Sequence, residues 1–142
     1  MSAKPRVLIV DDEERFRHTM CKLLTVEGFE ASTAGSGPQG LEELRQRPYD
    51  VVILDVRMPE MTGVQVLAEI RKIDPQIEVI IMTGYASVDT AKEIMKIGAY
   101  DYLLKPYAIH ELIEKIEAAY DRKVARLKLT GREQDAGSHS KS

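Results

Sequence analysis

The sequence predicts an α/β fold: a doubly wound sheet of five parallel strands, covered by helices on both faces, in the order 2-1-3-4-5. Three observations lead there. Short apolar runs alternate with stretches of helical period along most of the chain, as units that join parallel strands through crossover helices do. The first, third and fourth runs (RVLIV, VVILD and EVIIMT) are almost continuously apolar, which strands buried on both faces require. The second run is polar, with loose alternation, and suits an edge. That contrast favours 2-1-3-4-5 among the common doubly wound orders.

In chain order, Arg6–Val10 is the first strand and ends on Asp11-Asp12-Glu13-Glu14. Phe16, Met20, Leu23 and Leu24 recur at helical spacing in a first helix that stops at Gly28. Residues 29–34 (FEASTA) form the polar strand. In Gly35-Ser36-Gly37-Pro38, Ser36 or Gly37 caps a second helix whose Leu41 and Leu44 face inward until Pro48. Val51–Asp55 is the central strand, and Met58-Pro59 turns the chain out of it. Val64, Leu67 and Ile70 mark a third helix ending before Asp74-Pro75. Glu78–Thr83 is the fourth strand, and Ser87 caps a fourth helix carrying Ala91, Ile94 and Met95 up to Gly98. Residues 100–104 (YDYLL) run into Lys105-Pro106. The last helix shows Leu112, Ile113, Ile116, Ala119 and Tyr120 on one face, which Val124, Leu127 and Leu129 extend. From Thr130 no apolar period remains, as in a mobile tail. The chain thus divides into a domain over residues 1–122 and, over 123–142, a helical extension with a disordered tail.

Composition narrows the function classes. Hydrophobic residues at 44% and charged residues at 30% belong to a globular protein. Lys and Arg number 20 against 23 Asp and Glu, for a net charge of −3, which argues against direct nucleic acid binding by this chain. No apolar run approaches the roughly twenty residues of a spanning helix, and no signal peptide precedes the first strand, so the expectation is a cytoplasmic protein without membrane contact. Cys21 is the one cysteine, which excludes an internal disulfide and a Cys/His zinc site. His18, His110 and His139 read as solvated surface residues.

The chemistry lies at the strand ends. Ligands bind outside the carboxyl ends of strands in open parallel sheets, and the order 2-1-3-4-5 gathers Asp11, Asp12, Asp55, Thr83 and Lys105 on that edge. Three carboxylates in a small space repel one another. A hard divalent cation relieves the conflict, and Mg²⁺ suits one or two carboxylates, waters and phosphate oxygens. A carboxylate so placed can attack a phosphoryl group whose oxygens are neutralised from several sides: by Mg²⁺, by Lys105, by the Thr83 hydroxyl and by backbone amides near Arg57 and Gly84. Singly, each residue has a plainer reading. Asp11 or Asp12 can cap a helix, Lys105 can be a solvated loop lysine, and Thr83 can cap a turn. Their joint occurrence on four strand ends points to an aspartyl phosphate at Asp55.

These pieces resemble the receiver domain of bacterial two-component response regulators over residues 5–122. The matching motifs are the Asp11-Asp12 pair, Asp55 in DVRMPEMTG, Thr83 in MTGY, and GAYDYLLKP ending on Lys105-Pro106. The resemblance implies a flavodoxin-like (βα)5 fold and a signalling protein that catalyses only its own phosphorylation and dephosphorylation. It implies Asp55 as phosphoacceptor, Mg²⁺ held by Asp12, Asp55 and the Arg57 carbonyl with Asp11 on a metal water, and Thr83 and Lys105 on the phosphoryl group. Tyr102 matches the family's switch aromatic, which turns inward when Thr83 moves. Arg57 and Tyr85 stand where family members tune water access, and their bulk implies a long-lived phosphoryl group. Tyr107 stands where many receivers carry Phe.

The implied partners are a sensor histidine kinase, a downstream protein or output domain and, on phosphorylation, a second copy of the chain. Residues 130–142 are too few to fold into an output domain, so a stand-alone receiver and a piece of a longer regulator both fit. The competing class is a phosphatase resembling the haloacid-dehalogenase superfamily, with Asp55 as nucleophile. That family places a second Asp two residues on, where this chain has Arg57, and its nucleophile follows the first strand instead of the third.

Overall fold

The computed structural model describes residues 4–56, 58, 60–84, 88–105 and 107–141. Strands and helices alternate: β1 (Arg6–Val10), α1 (Glu14–Val26), β2 (Glu30–Ala34), α2 (Gly37–Gln46), β3 (Val51–Asp55), α3 (Gly63–Ile73), β4 (Glu78–Thr83), α4 (Val88–Ile97), β5 (Asp101–Leu104) and α5 (Ile109–Lys141). All strand pairs are parallel and the order is β2-β1-β3-β4-β5, the arrangement expected from the sequence.

Two apolar layers explain why the central strands carry no polar alternation. Successive strand side chains point to opposite faces. Val7, Ile9, Val51, Ile53, Ile80 and Met82 therefore pack on one face with Met20 and Leu24 of α1 and Leu112, Ile116 and Ala119 of α5. Leu8, Val10, Val52, Leu54, Val79 and Ile81 pack on the other, with Leu41 and Leu44 of α2, Val66, Leu67 and Ile70 of α3, and Ile94 of α4. Each such Leu, Ile or Val contributes about 1.5–3 kcal/mol by leaving water. β2 is half-exposed, as its polar sequence foretells.

A helix lying on a sheet buries only a stripe, and this corrects the inward faces in detail. Of the neighbours Leu23 and Leu24, Leu24 is buried and Leu23 exposed; Met95 is also exposed. In α3 the core position is Val66, with Val64 half-buried. The Ser36 cap of α2 is present, and α3 carries a capping box of its own. Ser36 Oγ accepts from the Gln39 N–H at 3.2 Å, and Thr62 and Gln65 form a reciprocal capping box at the start of α3. The expected Ser87 cap lies outside the described residues.

The end of the chain differs from the sequence expectation. α5 continues as helix to Lys141, where a mobile tail was expected from Thr130. Extending an existing helix needs no new nucleation and adds one hydrogen bond per residue ordered. Leu127 and Leu129 are exposed, so they do not prolong the buried face. A polar cluster joins this part of α5 to the amino-terminal ends of β3 and β4 instead. Glu78, fully buried, accepts from Arg122 Nε and from Arg126 Nη2, the latter at 3.0 Å. Arg126 also donates to the Gln76 side chain at 2.9 Å, and Lys123 Nζ donates to Asp50 at 2.8 Å.

Removing the partners of a buried charge costs more than removing the charge itself. The double variant Arg122→Ala/Arg126→Ala is therefore expected to lose about 2–4 kcal/mol of unfolding free energy. Glu78→Gln is expected to lose less than half of that, because both arginines can turn toward water. Urea unfolding of the three proteins checks the ranking, and equal losses would contradict it.

Candidate functional site

β1 and β3 are neighbours although α1, β2 and α2 separate them in sequence. The chain reverses its direction across the sheet between them, and their carboxyl ends flank a crevice. Asp11 follows the last residue of β1, Asp55 is the last of β3 and Thr83 the last of β4. The register pairs Asp55 with Met82, which puts Thr83 one step further along the same edge. Lys105 follows β5, and its backbone N–H donates to the Thr83 carbonyl at 2.8 Å. The fold thus brings Asp11, Asp12, Asp55, Thr83 and Lys105 to one edge, as the sequence predicts.

Local packing fixes the two buried acids. Asp11 is fully buried; its Oδ1 accepts from the Glu13 N–H at 2.9 Å, at the start of α1. Asp12 is exposed at the mouth. Asp55 is buried, and the chain beyond it is held by Gly63, whose N–H donates to the Val56 carbonyl at 2.8 Å. A Cβ on Gly63 would stand 2.7 Å from the Asp55 carbonyl oxygen and from Val56 Cα. Only glycine lets the start of α3 pass this close to the end of β3.

The Lys105 ammonium lies between the buried acids. Nζ donates to Asp11 Oδ2 and to Asp55 Oδ2, both at 3.2 Å, with Glu13 Oε1 at 3.9 Å. Burial raises the Asp11 carboxyl above its ordinary range; the Glu13 N–H opposes this, the Asp55 charge adds to it, and Lys105 lowers it. Burial pulls Lys105 down, yet the charges of Asp55 and Asp11 more than offset this and hold it above the usual lysine range. Among the described residues, Asp11 and Asp55 thus share the Lys105 ammonium.

Among the described residues, Asp11, Asp12 and Asp55 each offer a carboxylate oxygen, and these oxygens lie within 4.8 Å of one another. Opposed ligands of an octahedral Mg²⁺ lie about 4.2 Å apart, since each bond is about 2.1 Å. Both the all-oxygen donor set and its span fit a hard divalent cation. Arg57, the expected carbonyl ligand, and Tyr85, expected to shield the site, lie outside the described residues. Tyr102 is half-buried on β5 and packs against the α2–α4 layer.

Two aromatic residues meet at the site: Tyr107, which stands where many receivers carry Phe and on the loop expected to meet the kinase, and Phe16, which helical spacing assigns to the core. Phe16 has the Lys105 ammonium over its ring, 4.3 Å from the centroid. Tyr107 meets that ring edge-on, with centroids 6.4 Å apart at 88°. Burial, then the charges of Asp11 and Asp55, push the Tyr107 hydroxyl above the usual phenol range. The available signal was the placement of Phe16 in the first turn after two strand-end acids, which periodicity alone does not separate from a core position.

The family model described as the response regulator receiver domain matches residues 7–117. The regulatory protein AtoC of Escherichia coli (strain K12) is 42% identical over 112 residues, which are 79% of this chain and 24% of that protein. The transcriptional regulatory protein ZraR of Escherichia coli O157:H7 is 44% identical over 113 residues, 80% of this chain and 26% of that protein. The chain therefore spans about a quarter of the length of these curated relatives. Among solved structures, a CheY-like receiver domain protein from Methanospirillum hungatei JF-1 superposes with a TM-score of 0.84 at 29% identity, covering 87% of this chain and 98% of that one. A receiver domain protein from Clostridium thermocellum gives 0.81 at 38% identity, covering 85% and 98%. The phosphatase alternative finds no support in these likenesses. Sheet order, strand-end acids, a bridging lysine and the family match agree: the chain belongs to the response regulator receiver domains, a family of signalling proteins.

Proposed function

We propose that the chain stores a phosphoryl group on Asp55, taken in the presence of Mg²⁺ from the phosphohistidine of a sensor histidine kinase, and that Thr83 and Tyr102 report it to an output. The observation that carries this reading is the Lys105 ammonium set 3.2 Å from both Asp11 and Asp55 at the edge where Asp12 stands exposed.

In the transfer, an Asp55 carboxylate oxygen forms the new O–P bond as the donor's N–P bond breaks, and the histidine leaves with the electron pair of that bond and takes up a proton. Asp12 and Asp55 would hold Mg²⁺ directly with the Arg57 carbonyl, and Asp11 through a water; when bound, the ion neutralises charge on the phosphoryl oxygens. Lys105 moves from the carboxylate to a phosphoryl oxygen as a point charge. The Thr83 hydroxyl donates to another. Asp11 stays anchored by the Glu13 N–H and keeps Lys105 aimed at the site.

The phosphoryl group brings about −1.5 to −2 charge and three strong acceptors. Holding Thr83 and Lys105 to them biases an equilibrium between two packings of α4, β5 and α5. Met95 on α4 and Leu104 on β5 are exposed on those elements. No helix among the described residues is long and apolar enough to cross a membrane. We place the protein in the cytoplasm, without direct nucleic acid contact by this chain. Its proposed partners are the kinase, a second copy on phosphorylation, and an output. The relatives' names mention transcriptional regulation, and we propose an output of that kind.

Asp55→Asn is expected to abolish acid-labile phosphate incorporation from acetyl phosphate; labelling equal to that of the parent would exclude Asp55 as acceptor. A second expectation concerns stability without divalent cations. A carboxyl group whose folded-state pKa is raised binds more protons folded than unfolded. Stability from this group is therefore lost as pH rises from the unfolded value near 3.8 through the raised folded value. Asp11→Asn, which mimics the protonated form, should raise the urea midpoint at pH 7 in chelator, and Mg²⁺ should shrink the difference. A lower midpoint in chelator would contradict the charge argument.

A further inference from the structure

Resting on the phosphoryl-acceptor reading above, we infer that Phe16 is a positioning residue for Lys105, with Tyr107 holding its ring in place. The ammonium of Lys105 sits 4.3 Å from the Phe16 centroid, inside the roughly 6 Å at which a cation is attracted to the negative face of a ring. Its hydrogen bonds go elsewhere, to Asp11 Oδ2 and Asp55 Oδ2 at 3.2 Å each. The ring thus limits the directions in which Nζ can swing. Lysine has a long flexible stem and a compact, strongly hydrated charge. Without a wall on that side, the head group has more room to leave the acids for water.

Tyr107 fixes the wall. Its ring stands perpendicular to that of Phe16, an arrangement aromatic pairs favour, and its hydroxyl end meets Met82 Sδ. Met82 is fully buried in β4 and is the register partner of Asp55. The contacts therefore form a closed circuit: Asp55 is beside Met82, Met82 meets Tyr107, Tyr107 meets Phe16, and Phe16 carries the lysine that returns to Asp55. In this circuit Phe16, on α1, meets the ammonium that bridges to Asp55, so it acts on the phosphoryl group through Lys105.

The interaction survives the transfer. When Lys105 shifts from an Asp55 oxygen to a phosphoryl oxygen, the ring face still bears on the ammonium. The ring should thus act on the maximal transfer rate, with little effect on donor binding.

The test compares the parent with Phe16→Leu, which keeps apolar bulk and removes the ring, and Phe16→Tyr, which keeps the ring. Phosphorylation is followed against phosphoramidate concentration with saturating Mg²⁺, and the ¹H shift of the Lys105 ε-methylene is read by NMR without phosphodonor. We expect Phe16→Leu to lower the maximal rate about 3- to 30-fold while changing half-saturation less than about twofold, and Phe16→Tyr to stay within about threefold of the parent. The ε-methylene should be ring-current shifted upfield in the parent and in Phe16→Tyr, and return to the ordinary lysine position in Phe16→Leu. A folded Phe16→Leu that transfers at the parental rate overturns the inference, as does an unshifted ε-methylene in the parent. If Phe16→Leu does not fold, Phe16→Met takes its place with the same expectations. A parent that accepts no phosphoryl group overturns the acceptor reading instead, and the NMR shift still decides whether the ring holds the lysine.

Discussion

Three carboxylates and one ammonium meet at the carboxyl edge of the sheet, and the rest of the structure is arranged around keeping them there. Two unit charges within 4.8 Å interact with roughly 3–4 kcal/mol at an effective dielectric constant near 20. Lys105 offsets one of the three negative charges at the site. Burial first, and the Asp55 charge after it, raise the Asp11 carboxyl, against the Glu13 N–H and Lys105, which lower it. An acidic cluster of this kind favours a hard divalent cation.

The fold supplies the constraint that prevents spreading. β1, β3 and β4 are buried on both faces by α1 and α5 on one side and α2, α3 and α4 on the other. Their ends move little because their side chains are interlocked in two apolar layers. Gly63 lets α3 close directly over the end of β3, and the Thr83 carbonyl ties β4 to the start of the Lys105 loop. At the opposite end of the sheet, a second charged cluster around Glu78 fastens α5, so the helix leaving the domain is fixed to the same strands that carry the site.

How much of this was legible follows from the kind of signal each part leaves. The strands announced themselves because burial on both faces demands continuous apolar runs, and the polar β2 marked its own edge. Asp11, Asp55, Thr83 and Lys105 were legible because polar residues closing buried strands are costly unless used. The Glu78 cluster was not, since Glu78 opens a strand and its partners lie some forty-odd residues away on α5, and a charged helix face normally reads as solvated. Phe16 was hidden for the opposite reason: an aromatic residue at helical spacing from Met20 looks like core whichever group its ring faces. Leu23 and Leu127 show the limit of period alone, which gives an apolar face without saying where the sheet ends beneath it.

The most direct measurement is a Mg²⁺ titration of chemical unfolding against Na⁺ at matched ionic strength, on the parent and on Asp12→Asn. If the strand-end acids form one cation site, the parent's stability rises with Mg²⁺ as single-site linkage requires, Na⁺ reproduces little of the rise, and Asp12→Asn loses most of it. Equal stabilisation by both salts, or a Mg²⁺ response unchanged in Asp12→Asn, would contradict the account.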